Sequence, residues 1–305
     1  MKFTIVTPHF NQLEWLRLCV ASVADQASDR SLAIEHIVQD AGSAGLEEFA
    51  RTHDAAFYPE GGLSAAAGNA PSPNPHSNYS LSIYREKDAG MYDAINRGFR
   101  RATGEVVAWL NADEQYLPGT LARVADTMTK EPECDMLMGD AVVTDPSGGY
   151  VCSRTCLTPS RLHSLVSGNL SFLSAANFLR RSVIERGLFL PAGWRVVGDA
   201  AWATDLIASG VTMRRIPQYL ASFVDTGDNL CLRPEAADEM ARLAKLAPLW
   251  AQYLRPAIIA WFRVRKLLAG AYRLTPFSYD VFTNAQPNRR THFEVRDPTQ
   301  RWAGR

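Results

Sequence analysis

The fold is decided by residues 2–40, KFTIVTPHFNQLEWLRLCVASVADQASDRSLAIEHIVQD. Residues 2–7 form a β-branched and aromatic run closed by Pro8, which predicts a buried first strand. Residues 12–27 carry apolar side chains at helical spacing, and residues 34–38 (IEHIV) predict a second strand. A strand, a helix and a strand joined by short connections are typical of a βαβ unit with parallel strands.

The rest of the chain extends this alternation of strands and helices. Residues 61–84 contain no Asp, Glu, Lys or Arg and are rich in Gly, Ala, Ser, Asn and Pro. We therefore predict a surface insertion at about 59–80. Further elements are predicted in this order: a strand near 81–84, a helix at 91–102, a strand at 105–110, a helix at about 119–130 and a strand at 135–139. Residues 235–273 are predicted to be largely helical, and the last twenty or so to be polar and poorly packed.

Length and charge suggest one α/β domain followed by a basic extension. The chain of 305 residues has room for a domain at 1–230 and an extension at 231–305. Residues 251–305 hold ten Lys or Arg and three Asp or Glu, a net charge of +7 against −7 in the remainder. A basic tail on an acidic body indicates either an anionic surface or acceptor, or simply a solvated chain end. No nucleic-acid partner is expected.

The cysteines and the N-terminus favour a cytoplasmic protein. The five cysteines are scattered, and only Cys152 and Cys156 lie close in sequence, so neither a disulfide framework nor a zinc site is predicted. The N-terminus runs directly into the first strand without a signal-peptide pattern. No uncharged apolar run approaches the ~20 residues that span a bilayer.

Acidic residues cluster where strands are predicted to end. Asp40 follows the second strand, Asp88 and Asp93 surround a turn into a helix, and Asp113 follows EVVAWL at 105–110. Ligands bind at the carboxyl ends of the strands in open parallel sheets. With the amide of Asn111 two residues earlier, Asp113 offers oxygen ligands to a hard divalent cation, although a cap on a local turn is the alternative.

Other polar residues have simple structural readings as well. The residue types of segment 40–43 (DAGS) are also those of an ordinary turn. Asp93 and Asn96 are three residues apart and share a helix face, but polar helix faces usually just contact water. Asp199 precedes an apolar helix start. Its default role there is that of an N-cap, and the functional alternative is that of a general base. No serine-hydrolase elbow, dinucleotide fingerprint or P-loop is present in the sequence.

Taken in order, the motifs resemble those of the family 2 glycosyltransferases, particularly small bacterial members of cell-surface polysaccharide assembly. The resemblance covers about residues 1–230, and its strongest parts are the third and fourth motifs. The matching segments are TPHFN (7–11), IVQDAGS (37–43), EKDAGMYDAINRG (86–98), ATGE (102–105) through LNADE (110–114), and more weakly GD (139–140), FLRR (178–181) and GD (198–199).

This resemblance implies a GT-A fold, a Rossmann-like and mostly parallel sheet flanked by helices, here with a C-terminal helical extension. It also implies the residues of the active site. Asp199 would be the catalytic base, and Asp113, in the D-x-D position with Asn111, the ligand of Mg²⁺ or Mn²⁺. The residues implied in binding the nucleotide sugar are Thr7, Pro8, Asn11, Asp40, Asp88, Asp93, Asn96, Asn111 and Asp113.

The activity implied is inverting, metal-dependent transfer of one sugar from a nucleotide-diphosphate sugar, usually linked to uridine, to a glycan or lipid-linked acceptor. No Q-x-x-R-W motif follows Asp199, which favours a non-processive enzyme. Asn111 and Glu114 stand where many members have Asp. The alternative is a catalytically degenerate protein of the same fold that binds a nucleotide sugar or a glycan.

Residues 255–273 predict a basic amphipathic helix. Arg255, Arg263, Lys266 and Arg273 fall near one side, with apolar residues including Trp261 mostly on the other. Such a helix is expected either to lie on an anionic membrane, at the inner face of the plasma membrane, or to pack its apolar side on the domain.

Overall fold

The computed structural model describes residues 1–59, 78–227 and 235–302. In these residues, ten strands form one sheet. They are β1 (Lys2–His9), β2 (Ala33–Asp40), β3 (Ala56–Pro59), β4 (Tyr79–Arg85), β5 (Val106–Trp109), β6 (Glu114–Tyr116), β7 (Met136–Thr144), β8 (Tyr150–Arg154), β9 (Asn177–Arg180) and β10 (Met213–Val224). Their order is β3-β4-β2-β1-β5-β9-β7-β10-β6, with β8 paired to β7.

The pairing within the sheet is mostly parallel. The half from β3 through β4, β2 and β1 to β5 is parallel throughout, and β7 is parallel to β10. Strands β9, β8 and β6 pair antiparallel with their neighbours. The predicted α/β fold with a mostly parallel sheet is confirmed.

Helices cover both faces of the sheet. They are α1 (Leu13–Ala24), α2 (Leu46–Thr52), α3 (Met91–Arg101), α4 (Thr120–Lys130), α5 (Arg161–Ser167), α6 (Arg181–Glu185), α7 (Gly198–Ala208), α8 (Glu235–Ala244), α9 (Leu249–Tyr253) and α10 (Arg255–Leu268). Successive side chains of a strand point to opposite faces. Accordingly, Ile5 packs in the cluster of α1 and α4, whereas Val6 packs in the cluster of α3 and α7. Because both faces are covered, six of the eight positions of β1 are buried.

Two glycines of the family-like motifs allow close approaches to β1. A Cβ on Gly98 of α3 would lie 2.3 Å from a methyl group of Val6, and one on Gly104 would lie 2.5 Å from the backbone nitrogen of Thr4. Such distances leave no room for a side chain. These glycines therefore set the height of α3, and of the loop after it, above the sheet.

The described residues near the end of the chain pack on the domain, so the expectation of a poorly packed tail is wrong for them. Strands β11 (Phe277–Thr283) and β12 (Gln286–Val295) form an antiparallel hairpin. Tyr279 and Val281 are buried against Leu117 and Val142 of the domain. The cause is visible in FSYDVFT, where apolar and polar residues alternate with the period of a strand.

Other predicted boundaries need smaller corrections. The strand predicted at 135–139 continues to Thr144 and is buried at all nine positions of β7. Residues 60–77 of the predicted insertion, the predicted boundary at 230, and Cys231 lie outside the described residues. The four described cysteines are free and buried. Among the described residues, none of the helices is both long enough and apolar enough to cross a membrane.

Candidate active site

The carboxyl ends of β1, β2, β4 and β5 meet at one edge of the sheet, where a cavity of about 1470 Å³ opens. Five of the ten predicted site residues line it: Pro8, Asp88, Asn111, Asp113 and Asp199. Small-molecule pockets typically measure ~300–1,000 Å³, so this cavity has room for two substrates together.

The other five predicted residues do not line the cavity; they are Thr7, Asn11, Asp40, Asp93 and Asn96. Thr7 is buried on the core side of β1, where its Oγ1 lies 2.9 Å from His36 Nε2. Asn96 donates a 2.8 Å hydrogen bond to the carbonyl of Leu190 and accepts one of 3.0 Å from its amide. The structure therefore gives the side chains of Thr7 and Asn96 a structural role.

Asp40 organises the turn at the end of β2. Its Oδ1 lies 2.7 Å from His9 Nδ1 and accepts a 2.5 Å hydrogen bond from Ser43 Oγ. Its Oδ2 accepts hydrogen bonds of 2.8 Å from the amides of Gly42 and Ser43. Burial raises the pKa of Asp40, but these hydrogen bonds outweigh it and leave the pKa below its usual value. The amide of Asn11 donates to Ser43 Oγ at 2.7 Å, so Asp40 fixes both loops at the cavity rim.

The two carboxylates near the start of α3 face different surroundings. Asp88 lines the cavity and accepts a 2.9 Å hydrogen bond from the amide of Gly90. Burial raises the pKa of Asp88. Asp93 instead accepts a 3.1 Å hydrogen bond from the amide of Ala89 and pairs with Arg97 Nη2 at 2.9 Å. Asp93 thus stabilises the first turn of α3, while Asp88 is available to a ligand.

The turn after β5 concentrates oxygen atoms at the cavity. Glu114 is fully buried, and its Oε2 accepts a 2.8 Å hydrogen bond from the amide of Asn111. Burial raises the pKa of Asp113, and burial together with the charge of Asp113 raises that of Glu114 further. Within the described residues, Asn111 Oδ1 and Glu114 Oε1 are buried without a hydrogen-bond partner. Likewise, no described Lys or Arg pairs with Asp113 or Glu114.

These oxygens fit a hard divalent cation. Mg²⁺ and Mn²⁺ prefer carboxylate and amide oxygens, and a cation would offset the cost of burying Asn111 Oδ1 and Glu114 Oε1 without partners. No cluster of three or more His, Cys, Asp or Glu suited to a metal occurs in the part of the chain described. Asp113 would therefore hold the cation together with phosphate oxygens of a ligand, as is common for Mg²⁺.

Asp199 lies in the first turn of α7 and faces the same cavity. The N-cap position belongs to Val197, so Asp199 is not the cap. Its Oδ1 accepts a 2.8 Å hydrogen bond from the amide of Ala200 and lies 3.4 Å from the hydroxyl of Tyr92. Burial raises the pKa of Asp199 to about 6. Its charge also contributes to the raised pKa of Glu114, which places the two carboxylates in one electrostatic site.

The far wall of the cavity was not foreseen from the sequence. Residues 300–302 line it beside Arg154 and Phe223. The ring of Trp302 lies 5.7 Å from that of Phe223, and the guanidinium of Arg154 lies 5.7 Å from the ring of Trp302. Phe223 is the register partner of Glu114 between β10 and β6. An aromatic and basic wall therefore stands next to the turn of 111–114.

Comparison with known proteins agrees with this geometry. Residues 76–187 match the family model described as Glycosyl transferase family 2. This segment therefore resembles the family 2 glycosyltransferases. The matched segment includes α3, the turn of 111–114 and β9.

Two similar proteins match parts of this chain. It is 40% identical over 70 residues to the PGL/p-HBAD biosynthesis glycosyltransferase of Mycobacterium bovis (strain BCG / Pasteur 1173P2), which is 23% of this chain and 27% of that protein. It is 21% identical over 215 residues to Glycosyltransferase AglE of Haloferax volcanii, which is 69% of this chain and 62% of AglE. The chain thus spans about a quarter of the first relative's length.

Solved structures share the fold at low identity. The match to S. aureus TarS has a TM-score of 0.54 at 16% identity and covers 87% of this chain and 43% of TarS. The match to the mannosyltransferase PcManGT from Pyrobaculum calidifontis has a TM-score of 0.51 at 17% identity and covers 88% of this chain and 79% of the other. The GT-A fold expected from the sequence is confirmed.

Proposed function

We propose that this protein transfers one sugar from a nucleotide-diphosphate sugar, preferably a UDP-sugar, to a hydroxyl group of a glycan or lipid-linked acceptor, with inversion of the anomeric carbon. The observation that carries the proposal is the convergence of Asp88, Asp113 and Asp199 on one cavity at the carboxyl ends of parallel strands. Neighbouring structures support such a donor: TarS was solved with UDP-GlcNAc, and PcManGT with GDP-Man and Mn²⁺.

On the acceptor side, Asp199 is the proposed base. It takes the proton of the acceptor hydroxyl while that oxygen bonds to the anomeric carbon from the face opposite the diphosphate. The bond between the anomeric carbon and the diphosphate oxygen breaks, and the nucleoside diphosphate leaves. This single displacement inverts the anomeric centre. With a pKa of about 6, Asp199 is ionised at neutral pH and more basic than an ordinary Asp.

On the donor side, Asp113 is the proposed ligand of Mg²⁺ or Mn²⁺, which supplies positive charge to the leaving diphosphate. Asn111 Oδ1 and Glu114 Oε1, in the same turn as Asp113, are buried without a hydrogen-bond partner and would add negative charge density next to the cation. Arg154 and Lys87, which also line the cavity, add basic groups that attract an anionic donor.

The proposal is tested by incubating the purified chain with UDP-, GDP-, dTDP- and CMP-sugars, with and without Mn²⁺. We expect slow metal-dependent hydrolysis of one nucleotide class, because water can replace the acceptor. Tight binding of a donor without any hydrolysis or transfer would favour the catalytically degenerate alternative. Absence of binding of every donor, with or without Mn²⁺, would overturn the proposal.

A further inference from the structure

The exposed apolar side chains of this protein are concentrated in one segment. Of the eleven large apolar side chains that are strongly exposed among the described residues, ten lie between 246 and 272. Phe10, at the cavity, is the other. Scattered exposed apolar residues are ordinary, but a contiguous group of this kind marks a surface that contacts a partner.

The spacing of these residues places them on common helix faces. Trp250 and Tyr253 of α9 are three residues apart, with exposed fractions of 54% and 85%. Trp261, Val264 and Leu268 of α10 are spaced by three and four residues and are exposed as well. Side chains with this spacing share one side of a helix. Both helices therefore present apolar stripes outward.

Two residues of α10 fix the helix to the domain. Phe262 is buried and stacks on His163 with a ring distance of 3.7 Å. Arg265 donates a 2.9 Å hydrogen bond to the carbonyl of Thr158. Ile258 also packs against a core cluster of the domain, whereas Trp261, Val264 and Leu268 remain exposed. Packing of the apolar side on the domain, one of the two expectations from the sequence, is therefore only partly met by α10.

The same segment is strongly basic. Residues 240–279 contain seven Lys or Arg and no Asp or Glu. Arg255, Arg263 and Arg273 of this segment are exposed. Exposed tryptophans flanked by basic residues are typical of helices that lie in the headgroup region of an anionic bilayer.

We infer that α9 and α10 form a docking surface for an anionic lipid bilayer, with the apolar stripes of 246–272 inserted among the lipids and the basic residues on the headgroups. A second copy of the chain is a poorer occupant, because a symmetric pair would bring two sets of positive charges together. Anionic lipid neutralises those charges while it covers the apolar side chains.

The docking surface adjoins the cavity. Gln300, on the cavity wall, donates a 2.9 Å hydrogen bond to the carbonyl of Ala271, just after α10. Met240 of α8 lines the cavity from the same side. A bilayer under α9 and α10 would therefore lie next to the proposed acceptor site. This consequence rests on the proposed function, whereas the docking itself does not.

The experiment is co-sedimentation of the full chain with lipid vesicles. We expect binding to phosphatidylcholine vesicles with about one third phosphatidylglycerol, and much weaker binding to phosphatidylcholine alone or at high salt. The double variant Trp261→Ser/Leu268→Ser should bind at least about tenfold more weakly. Arg263→Gln/Arg273→Gln should lose about tenfold or more of the affinity for anionic vesicles, whereas Arg296→Gln, an exposed basic control, should bind as the wild type does.

Absence of binding to anionic vesicles at low salt, or equal binding by all variants, would overturn the inference. Sedimentation of the lipid-free protein as a dimer that Trp261→Ser/Leu268→Ser dissociates would also overturn it, by assigning the surface to a second copy. Donor hydrolysis, measured without vesicles, reports on the proposed function separately. Circular dichroism of each variant verifies that loss of binding is not loss of fold.

Discussion

The hydroxyl of Tyr92 lies 3.4 Å from a carboxylate oxygen of Asp199 and 2.8 Å from the carbonyl oxygen of Val196, so the two acceptors share its single proton. A Cβ on Gly198 would lie 2.4 Å from the ring of Tyr92, so the ring packs tightly against the start of α7. Tyr92 belongs to α3, within the segment matched by the family model, whereas Asp199 lies outside that segment. This contact therefore joins the donor half of the cavity to the proposed base.

Tyr92→Phe should change the titration of Asp199. The hydrogen bond from Tyr92 lowers the pKa of Asp199, so its loss raises that pKa further. We expect the acidic limb of the pH–rate profile to move to higher pH and kcat below pH 6 to fall a few-fold, because kcat there is proportional to the ionised fraction of Asp199. Tyr58→Phe, on β3, is the matched control. An unchanged limb in Tyr92→Phe would show that the hydroxyl does not act on Asp199.

Asp199→Asn should remove the proposed base without removing the donor site. We expect kcat for transfer to fall about 10²–10⁴-fold, the usual contribution of a general base, while donor affinity stays close to that of the wild type. Asp205→Asn, an exposed position on the same helix, should be nearly neutral. Steady-state kinetics measures kcat, and donor titration measures donor affinity, for both variants and the wild type. Transfer at the wild-type rate in Asp199→Asn would eliminate this residue as the base.

The rate should depend on pH through Asp199 in the wild type. Burial raises its pKa to about 6, and only the ionised carboxylate accepts the acceptor's proton. With metal and both substrates saturating, kcat should level off above about pH 7 and fall nearly tenfold per pH unit well below pH 6. A kcat that stays constant from pH 5 to pH 8 would contradict the assignment.

Arg290 should tie the C-terminal hairpin to the domain. Its side chain pairs with Asp25 at 2.9 Å and donates hydrogen bonds of 3.0 Å to the carbonyls of Tyr116 and Asp280. Arg290→Met would remove the Arg290 donors from these part-buried carbonyls together with the ion pair to Asp25, so we expect the free energy of unfolding to fall by about 1–3 kcal/mol. Arg289→Met, an exposed neighbour, should change it by less than about 0.5 kcal/mol. Urea unfolding of both variants measures the difference, and equal stabilities would refute the role of Arg290.

Much of the fold follows from local pattern. The apolar runs of β1 and β2 and the helical spacing between them predict the parallel half of the sheet, which the structure contains. The hairpin of β11 and β12 was missed although FSYDVFT alternates, because its stability depends on distant partners such as Leu117 and Val142. Contacts between residues far apart in sequence cannot be predicted from the local sequence pattern.

The sequence predicts which residues lie at the strand ends near the site, but not which of their side chains face the cavity. Sequence position places Thr7 and Pro8 at the end of β1, but the pleat decides that Pro8 lines the cavity while Thr7 turns towards His36. The same limit applies to Tyr92, which the family-like motif contains without indicating its contact with Asp199. Trp302 offered no signal, since an isolated aromatic in a polar segment does not reveal which cavity it will line.

The central claim is that the cavity at Asp113 binds a nucleotide-diphosphate sugar together with a divalent cation. Its most direct measurement is calorimetric titration of UDP-sugar into the wild type and Asp113→Asn, each with Mn²⁺ and with a chelator; Asp126→Asn on α4 is the exposed control. We predict that Mn²⁺ strengthens binding at least about tenfold in the wild type and in Asp126→Asn, and that Asp113→Asn loses this gain. Equal gains from Mn²⁺ in all three proteins would contradict the account.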